Sequence, residues 1–272
     1  MLVHSVGLTT DLALIATRGR VVDRGGYLVT CTPDDPGYFH GNMLVLPAPL
    51  RPGELPAMID LFAREVAIDP EIRHVTLMWD GVTGDTGAPD ELAAAGFVRE
   101  TRRVMVAPQV TAPAAPRGIE LRPLAPDELA RAAELDFAIR EDDRTGDDHA
   151  SEAYRRFRHR RAAWQRELVI RRLAQFWGAF DDRTLVGSLG LVQLGRLGRY
   201  QDVQTTRSHR RRGVASALLA TAAAAATARS GIEELVIQTV AGNAAERVYQ
   251  RAGFRTIEHT VSAYREPRAT IR

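Results

Sequence analysis

The sequence predicts an α/β protein with a mixed α+β sheet, built as two tandem domains. Short apolar strand patterns alternate with helix patterns in both halves of the chain. The stretch APQVTAPAAPRG at 107–118 is crowded with proline and alanine, which is typical of an inter-domain linker. With 272 residues, the chain is long enough for two domains of ordinary size. We therefore expect domains at 1–107 and 118–272, joined by a linker at 108–117.

In the first half, the pattern predicts strands and helices in alternation. Two strands come first, YLVTCTP beginning at residue 27 and HGNMLVLPAP at 40–49. The remaining predicted elements are a helix at 52–67, a strand at 74–80, a short helix at 88–97 and a strand at 99–108.

In the second half, the strand GIELRPL at 118–124 leads into a helix at 125–139, whose proline and acidic opening suits a first helical turn. The highly charged stretch at 142–168 predicts an amphipathic helix after a loop. The elements expected after it are a hairpin of strands at 174–180 and 185–195, a strand at 199–206, an alanine-rich helix at 214–230, a strand at 234–240, a helix at 243–253 and the last strands at 254–266.

The stretch RSHRRRGVASALL at 207–219 carries the most chemical information. The predicted strand at 199–206 is followed by Arg210, Arg211, Arg212 and Gly213, and a predicted helix begins directly after them. Backbone N–H groups at a helix N-terminus are unpaired and partly positive, which makes an anion site. Three arginines at that end oppose the helix macrodipole, and a bound polyphosphate would remove the conflict. Gly213 and Ala215 keep side chains small where the turn would approach a ligand.

Arg210-x-x-Gly213-x-Ala215 resembles the [Q/R]-x-x-G-x-[G/A] signature of the GNAT superfamily of N-acetyltransferases. A second segment, running from Asn243 to Gly253-Phe254, is similar to the family's N-x-x-A-x-x-x-Y-x-x-x-G-F pattern, with the alanine one place off in some members. The resemblance covers roughly 118–267. It implies the GNAT acyl-CoA N-acyltransferase fold, with acetyl-CoA as co-substrate.

The resemblance also implies roles for particular residues. Tyr249 would be the general acid that protonates the departing CoA thiolate, and a phenol held near the sulfur is chemically suited to that step. Asn243 would hydrogen-bond the pantetheine arm, and the side chains of Arg210, Arg211 and Arg212 would reach phosphates or the nucleotide. The main chain would bind the rest of the donor: Val203, Gln204 and Thr205 would pair with pantetheine, and the amides of Arg211, Arg212, Gly213, Val214, Ala215 and Ser216 would hold the pyrophosphate.

The implied reaction is direct attack of a primary amine on the thioester in a ternary complex, with a main-chain N–H stabilising the oxyanion. Asp202 is the nearest carboxylate for a general base, but strand parity alone does not say which face it occupies. We expect a small-molecule or peptide amine as the acceptor, and the sequence leaves its identity open among an antibiotic, a polyamine, an amino acid, a peptide N-terminus and a protein lysine. Acidic residues in the helix-loop region either bind a cationic amine or form a solvated loop; they are Asp142, Asp143, Asp147, Asp148 and Glu152.

The first half parallels the latter part of the second domain, because its helix at 88–97 ends in Ala-Gly-Phe, as the helix at 243–253 does. We interpret it as a degenerate GNAT-like repeat. Its strand at 40–49 runs into Pro47, Pro49 and Pro52, and proline has no N–H to offer a phosphate. This half is therefore expected to be non-catalytic. An unrelated α+β domain with a chance Ala-Gly-Phe is the alternative.

Composition excludes several classes of function. Arginine supplies every basic residue and lysine is absent, which excludes a GxxxxGK[ST] phosphate loop and a Schiff-base lysine. The abundance of arginine, alanine and glycine fits the codon bias of a GC-rich bacterial genome. Cys31 is the only cysteine, so an intramolecular disulfide is excluded. His149, His159 and His209 lack metal-ligand spacing, and we predict no metal.

Charge and hydropathy bound the partners and the location. Basic and acidic residues nearly cancel, 36 against 34, so nucleic-acid binding through the arginines is a minor alternative. A signal peptide and a membrane span are both missing from the sequence pattern, which predicts a soluble, cytoplasmic protein with no membrane partner. A homodimer is left open. The main rival to an enzyme is a catalytically silent CoA-binding pseudoenzyme or interaction module.

Overall fold

The computed structural model describes residues 1–143 and 152–266. Short 3-10 turns lie at Phe39–Gly41, Pro126–Glu128 and Arg207–His209. The helices are Val6–Ala16 (α1), Leu55–Glu65 (α2), Pro89–Ala94 (α3), Leu129–Asp142 (α4), Glu152–Ile170 (α5), Val214–Ser230 (α6) and Ala245–Arg251 (α7). The strands are Arg20–Asp23 (β1), Leu28–Cys31 (β2), Leu44–Leu46 (β3), Val75–Trp79 (β4), Val98–Ala107 (β5), Ile119–Pro123 (β6), Ala174–Asp181 (β7), Thr184–Leu194 (β8), Leu197–Thr205 (β9), Glu234–Val240 (β10) and Arg255–Arg265 (β11).

The chain divides into two compact units. Unit 1 contains the described residues of 1–104, 238–241 and 256 onward, and unit 2 contains those of 105–237 and 242–255. Each unit combines helices with parallel and antiparallel strand pairs, so the predicted α/β class with mixed sheet is confirmed. The tandem domain boundary at 108–117 stays a prediction.

Unit 1 carries its strands in the order β1-β2-β3-β4-β11. Neighbouring strands β1 to β3 are antiparallel, β3 is parallel to β4, and β4 is antiparallel to β11. The pairing of β4 with β11 brings Ser262 opposite Met78 and Arg265 opposite Val75. Val261 and Ala263 of β11 lie in the same hydrophobic cluster as Trp79. The last strand of the chain is thus part of the core of unit 1.

Helix α1 and strand β1 are elements that the sequence analysis does not predict. Apolar residues occur on every side of α1, because the exposed side carries Ala16 while Leu8, Leu12 and Ile15 are buried, so the helix lacks the polar stripe of an amphipathic pattern. Ser5 caps its start, since the Ser5 hydroxyl oxygen accepts a hydrogen bond from the Leu8 N–H at 3.1 Å. A helix that is apolar on every side gives little signal in a search for 3.6-residue periodicity.

Unit 2 carries β9-β8-β7-β6 as an antiparallel run, with β10 parallel to β9. The predicted hairpin is confirmed, because β7 and β8 pair up to Asp181 and Thr184 around a tight turn. The predicted helix at 214–230 is confirmed as α6, which packs on β8 through Val214 and Leu218. The hairpin and α6 both adjoin the segment that joins β9 to α6.

Two boundaries differ from the predictions. The strand expected at 40–49 is only the three residues of β3, because Phe39–Gly41 forms a 3-10 turn and Pro47 ends the ladder. The last strands expected at 254–266 are the single strand β11. The amphipathic helix predicted after a loop within 142–168 is confirmed as α5, which begins at Glu152; α4 ends at Asp142, and residues 144–151 lie outside the described residues.

Candidate functional site

The junction between β9 and α6 is the centre of the candidate site. β9 ends at Thr205, a 3-10 turn follows, and α6 begins at Val214 with Gly213 as its N-cap. Gly213 has φ of 86° and no side-chain hydrogen bond caps the helix. A Cβ added at Gly213 meets no atom within 4 Å. The first N–H groups of α6 therefore have no helical partner, and the space beside Gly213 is open to a ligand.

Arg211 adds a second left-handed residue to this turn, with φ of 63°. A non-glycine residue in this conformation carries a penalty of about 1–2 kcal/mol, and such residues cluster at functional sites. Arg211 and Arg212 are exposed. Neither forms an ion pair within the part of the chain that the structure describes. Two free cations therefore flank the start of α6.

Arg210, the third arginine, is already engaged. Its guanidinium forms two hydrogen bonds with the Asp143 carboxylate, at 2.7 and 2.5 Å, and its Nε donates to the Thr205 carbonyl at 3.2 Å. The hydrogen bond from Arg210 is the main reason that the pKa of Asp143 is lowered. Arg207 donates to the Asp142 carbonyl, so cations meet the C-terminal end of α4, where the helix dipole favours them. The unfavourable placement of arginines at the N-terminal end of α6 is thus partly offset by their contacts with the C-terminal end of α4.

Strand β9 has one edge that β10 leaves uncovered. Across the described residues, the parallel pairing of β9 with β10 joins Leu197 to Glu234, Gly198 to Leu235 and Arg199 to Val236, and it goes no further. On its other edge, β9 stays paired with β8 up to Thr205. The backbone from Tyr200 to Thr205 therefore offers a free strand edge that leads into the turn before α6.

A β-bulge interrupts β9 in the middle of this edge. Gln201 pairs with Gly190 and Gln204 with Ser188, so two residues of β9, Asp202 and Val203, stand against one residue of β8. Asp202 has φ of 48°, the left-handed conformation that glycine usually supplies at this bulge position. The bulge turns the main chain of Val203 away from the regular ladder.

Buried polar side chains of α5 hold Asp202. Arg161 donates from Nε and Nη2 to its two carboxylate oxygens at 2.8 and 3.1 Å, and Gln165 donates from Nε2 at 2.5 Å. Arg158 Nη1 lies 3.7 Å from the same carboxylate. Burial raises the pKa of Asp202, but the charges of Arg161 and Arg158 and the hydrogen bonds outweigh it and hold that pKa well below its usual range. Asp202 therefore stays an anion that is fully engaged.

The α5 residues are the part of the site that the sequence analysis misses. Arg158, Arg161 and Gln165 are each more than nine-tenths buried. Their spacing of three and four residues places them on one face of α5. Two arginines and a glutamine on the inner face of a helix are a signal for a buried carboxylate partner, and that signal was present in the sequence.

The residues expected to bind the pantetheine arm differ in availability. The Gln204 side chain is tied by hydrogen bonds of 2.8 Å to the Ala132 carbonyl and the Ser188 hydroxyl, which leaves its main chain for a ligand. The Thr205 hydroxyl is buried and has no hydrogen-bond partner among the described residues. Val203 packs against the same hydrophobic cluster that contains Val214.

Tyr249 and Asn243 lie in and just before helix α7. The Tyr249 side chain belongs to the hydrophobic cluster of unit 2, next to Phe254, and burial raises its pKa to about 12. Asn243 is exposed, and its side-chain oxygen accepts a hydrogen bond from the Ala245 N–H at 2.9 Å. The Asn243 oxygen therefore binds the first residue of α7, and its amide NH₂ is the group left to bind a ligand.

Two of the five acidic residues proposed for a cationic acceptor are paired with arginines. Asp143 binds Arg210, and Glu152, which is highly exposed, lies 3.9 Å from Arg156. Asp147 and Asp148 fall outside the described residues. Among residues 1–143 and 152–266, no group of three or more His, Cys, Asp or Glu side chains could hold a metal ion.

A family comparison connects this geometry to known proteins. The model of the acetyltransferase (GNAT) family matches residues 136–254, a range that contains the β9 bulge, the turn before α6 and the whole of α7. Residues 136–254 are therefore similar to the GNAT acetyltransferase family, whose members use acyl-CoA. No curated protein sequence matches the chain.

Solved structures share the fold of this chain at low sequence identity. A functionally unknown conserved protein from Staphylococcus epidermidis ATCC 12228 has a TM-score of 0.69 at 10% identity, covering 92% of this chain and 94% of that chain. A GCN5-related N-acetyltransferase from Kribbella flavida has a TM-score of 0.64 at 16% identity, covering 96% of both chains. A tandem GNAT protein from the clavulanic acid biosynthesis pathway has a TM-score of 0.54 at 16% identity, covering 83% of this chain and 75% of that chain.

These similarities confirm the GNAT fold that the sequence motifs imply. They extend over most of the chain, and one of the similar structures is a tandem GNAT protein. In the described ranges, no helix combines the length and the apolar character that crossing a bilayer requires.

Proposed function

We propose that this protein is an N-acetyltransferase that moves an acetyl group from acetyl-CoA to a primary amine by direct attack in a ternary complex. One observation carries the proposal: a continuous main-chain surface runs from the uncovered edge of β9, through the left-handed residues Arg211 and Gly213, to the unpaired N–H groups of α6. Such a surface suits an extended thioester arm followed by a pyrophosphate.

Two local features fit this donor. The open space at Gly213 is where a phosphate would approach the helix amides without meeting a side chain. The buried Thr205 hydroxyl, which lacks a partner among the described residues, offers a hydrogen bond to a polar group of the arm. In this proposal, the main chain of Val203, Gln204 and Thr205 pairs with the arm.

The phosphate end of the donor is assigned to the turn and to the start of α6. The proposed amide donors are those of Arg211, Arg212, Gly213, Val214, Ala215 and Ser216. The side chains of Arg211 and Arg212 are exposed and can reach phosphates directly. Arg210 is bound to Asp143, so we assign it to holding the turn against α4.

Tyr249 is the proposed general acid. Its burial keeps the phenol protonated at neutral pH, as an acid must be before it gives its proton to the leaving thiolate. Asn243 is proposed to hydrogen-bond the arm through its amide NH₂, since its oxygen already caps α7.

Asp202 is poorly suited to be the general base that the sequence suggested. A base must accept a proton near neutral pH, whereas the arginines around Asp202 hold its pKa well below the usual carboxyl range. Both of its oxygens also already accept hydrogen bonds. We propose that Asp202 acts on the shape of β9, and that water or another group takes the amine proton.

Unit 1 is proposed to be non-catalytic. At the start of α2, the Gly53 N–H donates to the Glu91 carboxylate at 2.8 Å and the Arg51 N–H donates to that of Glu54, also at 2.8 Å. Proline lies in the first turn of α2. Carboxylates thus occupy amides that an anionic ligand would need, and they repel phosphate.

A titration of acetyl-CoA by calorimetry, followed by a CoA-release assay on a panel of primary amines, tests the proposed function. We expect binding, and amine-dependent CoA release that falls in Tyr249→Phe. Binding without any amine-dependent release would favour the alternative, a pseudoenzyme or interaction module. Nucleic-acid binding, the third reading, predicts affinity that falls steeply with salt. The amine acceptor, a homodimer and a cytoplasmic location stay predictions.

A further inference from the structure

The polar cluster around Asp202 does more than neutralise buried charge, because it grips both sides of the β9 bulge. Besides its two hydrogen bonds to Asp202, Arg161 donates from Nη2 to the side-chain oxygen of Gln201 at 2.9 Å. Gln165 adds a third donor to Asp202. The residues before and at the bulge are therefore fixed to α5.

The far side of the bulge is fixed as well. The Gln204 amide donates to the Ala132 carbonyl of α4 and to the Ser188 hydroxyl of β8. Val203 lies between Asp202 and Gln204 and takes part in none of these side-chain hydrogen bonds. Its main chain is thus held between two fixed points, on the strand edge that β10 leaves uncovered.

The conformation at Asp202 needs such support. Its φ of 48° is left-handed, which carries a penalty of about 1–2 kcal/mol for a residue with a Cβ. Strained residues persist where surrounding contacts over-determine them. Here a carboxylate with three hydrogen bonds from α5 supplies that constraint.

We propose that Arg161, assisted by Gln165, is a positioning residue of the acyl-transfer site: it holds Asp202 in the left-handed bulge and thereby sets the main chain of Val203 for the thioester arm. This inference rests on the proposed function, because it assumes that the arm of acetyl-CoA pairs with β9. A positioning role of Arg161 can be told apart from a role in helix packing alone, because a packing defect would not weaken the binding of one half of acetyl-CoA more than that of the other.

The nucleotide half of CoA provides the required discrimination. Adenosine 3′-phosphate 5′-diphosphate carries the phosphates that the turn and α6 would bind, but it lacks the arm that would lie on β9. Loss of the Arg161 side chain should therefore weaken the binding of acetyl-CoA and spare that of the nucleotide, because only the arm depends on the position of the β9 main chain.

The experiment compares Arg161→Gln with Arg166→Gln on the full chain. Arg166 lies on the same helix, its side chain is about half exposed, and it contacts Glu167 outside the cluster, so its replacement is the matched control. Affinities for acetyl-CoA and for the nucleotide half are measured by calorimetry, together with thermal unfolding. Gln165→Leu is a milder second variant in case Arg161→Gln does not fold.

We expect Arg161→Gln to weaken acetyl-CoA by about tenfold or more and to leave the nucleotide half unchanged. Arg166→Gln should match the wild type for both ligands, and Arg161→Lys, which keeps the charge but not the fork, should recover part of the loss. In ¹⁵N spectra of the free protein, the Val203 amide should shift in Arg161→Gln and not in Arg166→Gln.

The inference is overturned if Arg161→Gln, or Gln165→Leu in its place, binds acetyl-CoA as the wild type does, or weakens both ligands equally. A wild-type protein that binds the nucleotide half but gains nothing from the arm would also overturn it. If the wild type binds neither ligand, the proposed function itself fails. The two failures are therefore distinguishable.

Discussion

Replacement of Gly213 by alanine, compared with the same change at Gly231, separates a phosphate site from a helix cap. The two glycines flank the ends of α6, a helix of 17 residues and so about 25 Å long. Both are left-handed, with φ of 86° and 61°. At neither position does an added Cβ meet an atom within 4 Å. The two substitutions therefore impose the same kind of backbone penalty and no steric clash within the described residues.

The expected loss of stability follows from these angles. A Cβ in the left-handed region costs about 1–2 kcal/mol, and Gly213, whose angles lie further from the left-handed minimum, should be at the upper end of that range. For a chain of this size, each kcal/mol corresponds to a Tm lower by about 2–4 °C. Both variants should remain folded and show modest decreases in Tm.

The expected loss of affinity differs between the two. A methyl group at position 213 would enter the space proposed for the pyrophosphate and prevent at least one charge-assisted hydrogen bond from an amide, worth about 1.5–3 kcal/mol. That corresponds to a Kd for acetyl-CoA raised by about 10-fold to 100-fold in Gly213→Ala, with no change in Gly231→Ala. Calorimetric titration of both variants, at a temperature well below either Tm, gives the comparison. Equal affinities in the two variants would refute the assignment of the phosphates to the start of α6.

Three further predictions concern the acid, the exposed cations and a surface ion pair. Tyr249→Phe should lower kcat by about 100-fold at saturating amine, while the Kd for acetyl-CoA stays near that of the wild type. Because burial raises the pKa of Tyr249 to about 12, deprotonation of this residue should not lower the wild-type kcat up to about pH 10. The double variant Arg211→Gln, Arg212→Gln should weaken CoA by about tenfold and flatten the dependence of its Kd on salt; an unchanged salt dependence would contradict phosphate contacts by these side chains. Glu128→Gln should lower the free energy of unfolding at neutral pH by about 1 kcal/mol, a figure discounted for solvent screening, because hydrogen bonds from Arg122 are the main cause that lowers the pKa of Glu128 to about 2. Because the pKa of Glu128 is lowered, its contribution to the free energy of unfolding is fully present above the ordinary pKa of Glu and is lost as the pH falls toward 2. In urea titrations over that pH interval, the stability of the variant should therefore depend less on pH than that of the wild type.

Local sequence patterns were sufficient for much of unit 2. The positions of β9 and α6, and the glycine between them, could be predicted because helix and strand periodicity and a glycine turn are properties of consecutive residues. The motif around Gly213 and the segment from Asn243 to Phe254 then indicated the family. In unit 1 the same approach failed for α1, since a helix with apolar residues on all sides has little periodic contrast between apolar and polar positions.

The state of the predicted site residues depended on partners far away in the chain. Arg210 looked like a free phosphate ligand, but it pairs with Asp143, 67 residues earlier. Asp202 looked like a candidate base, but Arg161, 41 residues earlier, binds it and lowers its pKa. Sequence spacing carries no information on which charges meet at such separations.

The sequence by itself determined the class of fold, the glycine turn before α6 and the family to which that turn points, because each of these is written in short runs of residues. The tertiary structure decided that β11 pairs with β4 in unit 1, that β9 leaves β10 beyond Arg199, and that Asp202 is clamped by α5. The physical reason is the same in all three cases. Strand pairing and ion pairing between distant segments are fixed by the packing of whole elements, which brings their hydrogen-bonding groups within about 3 Å of one another.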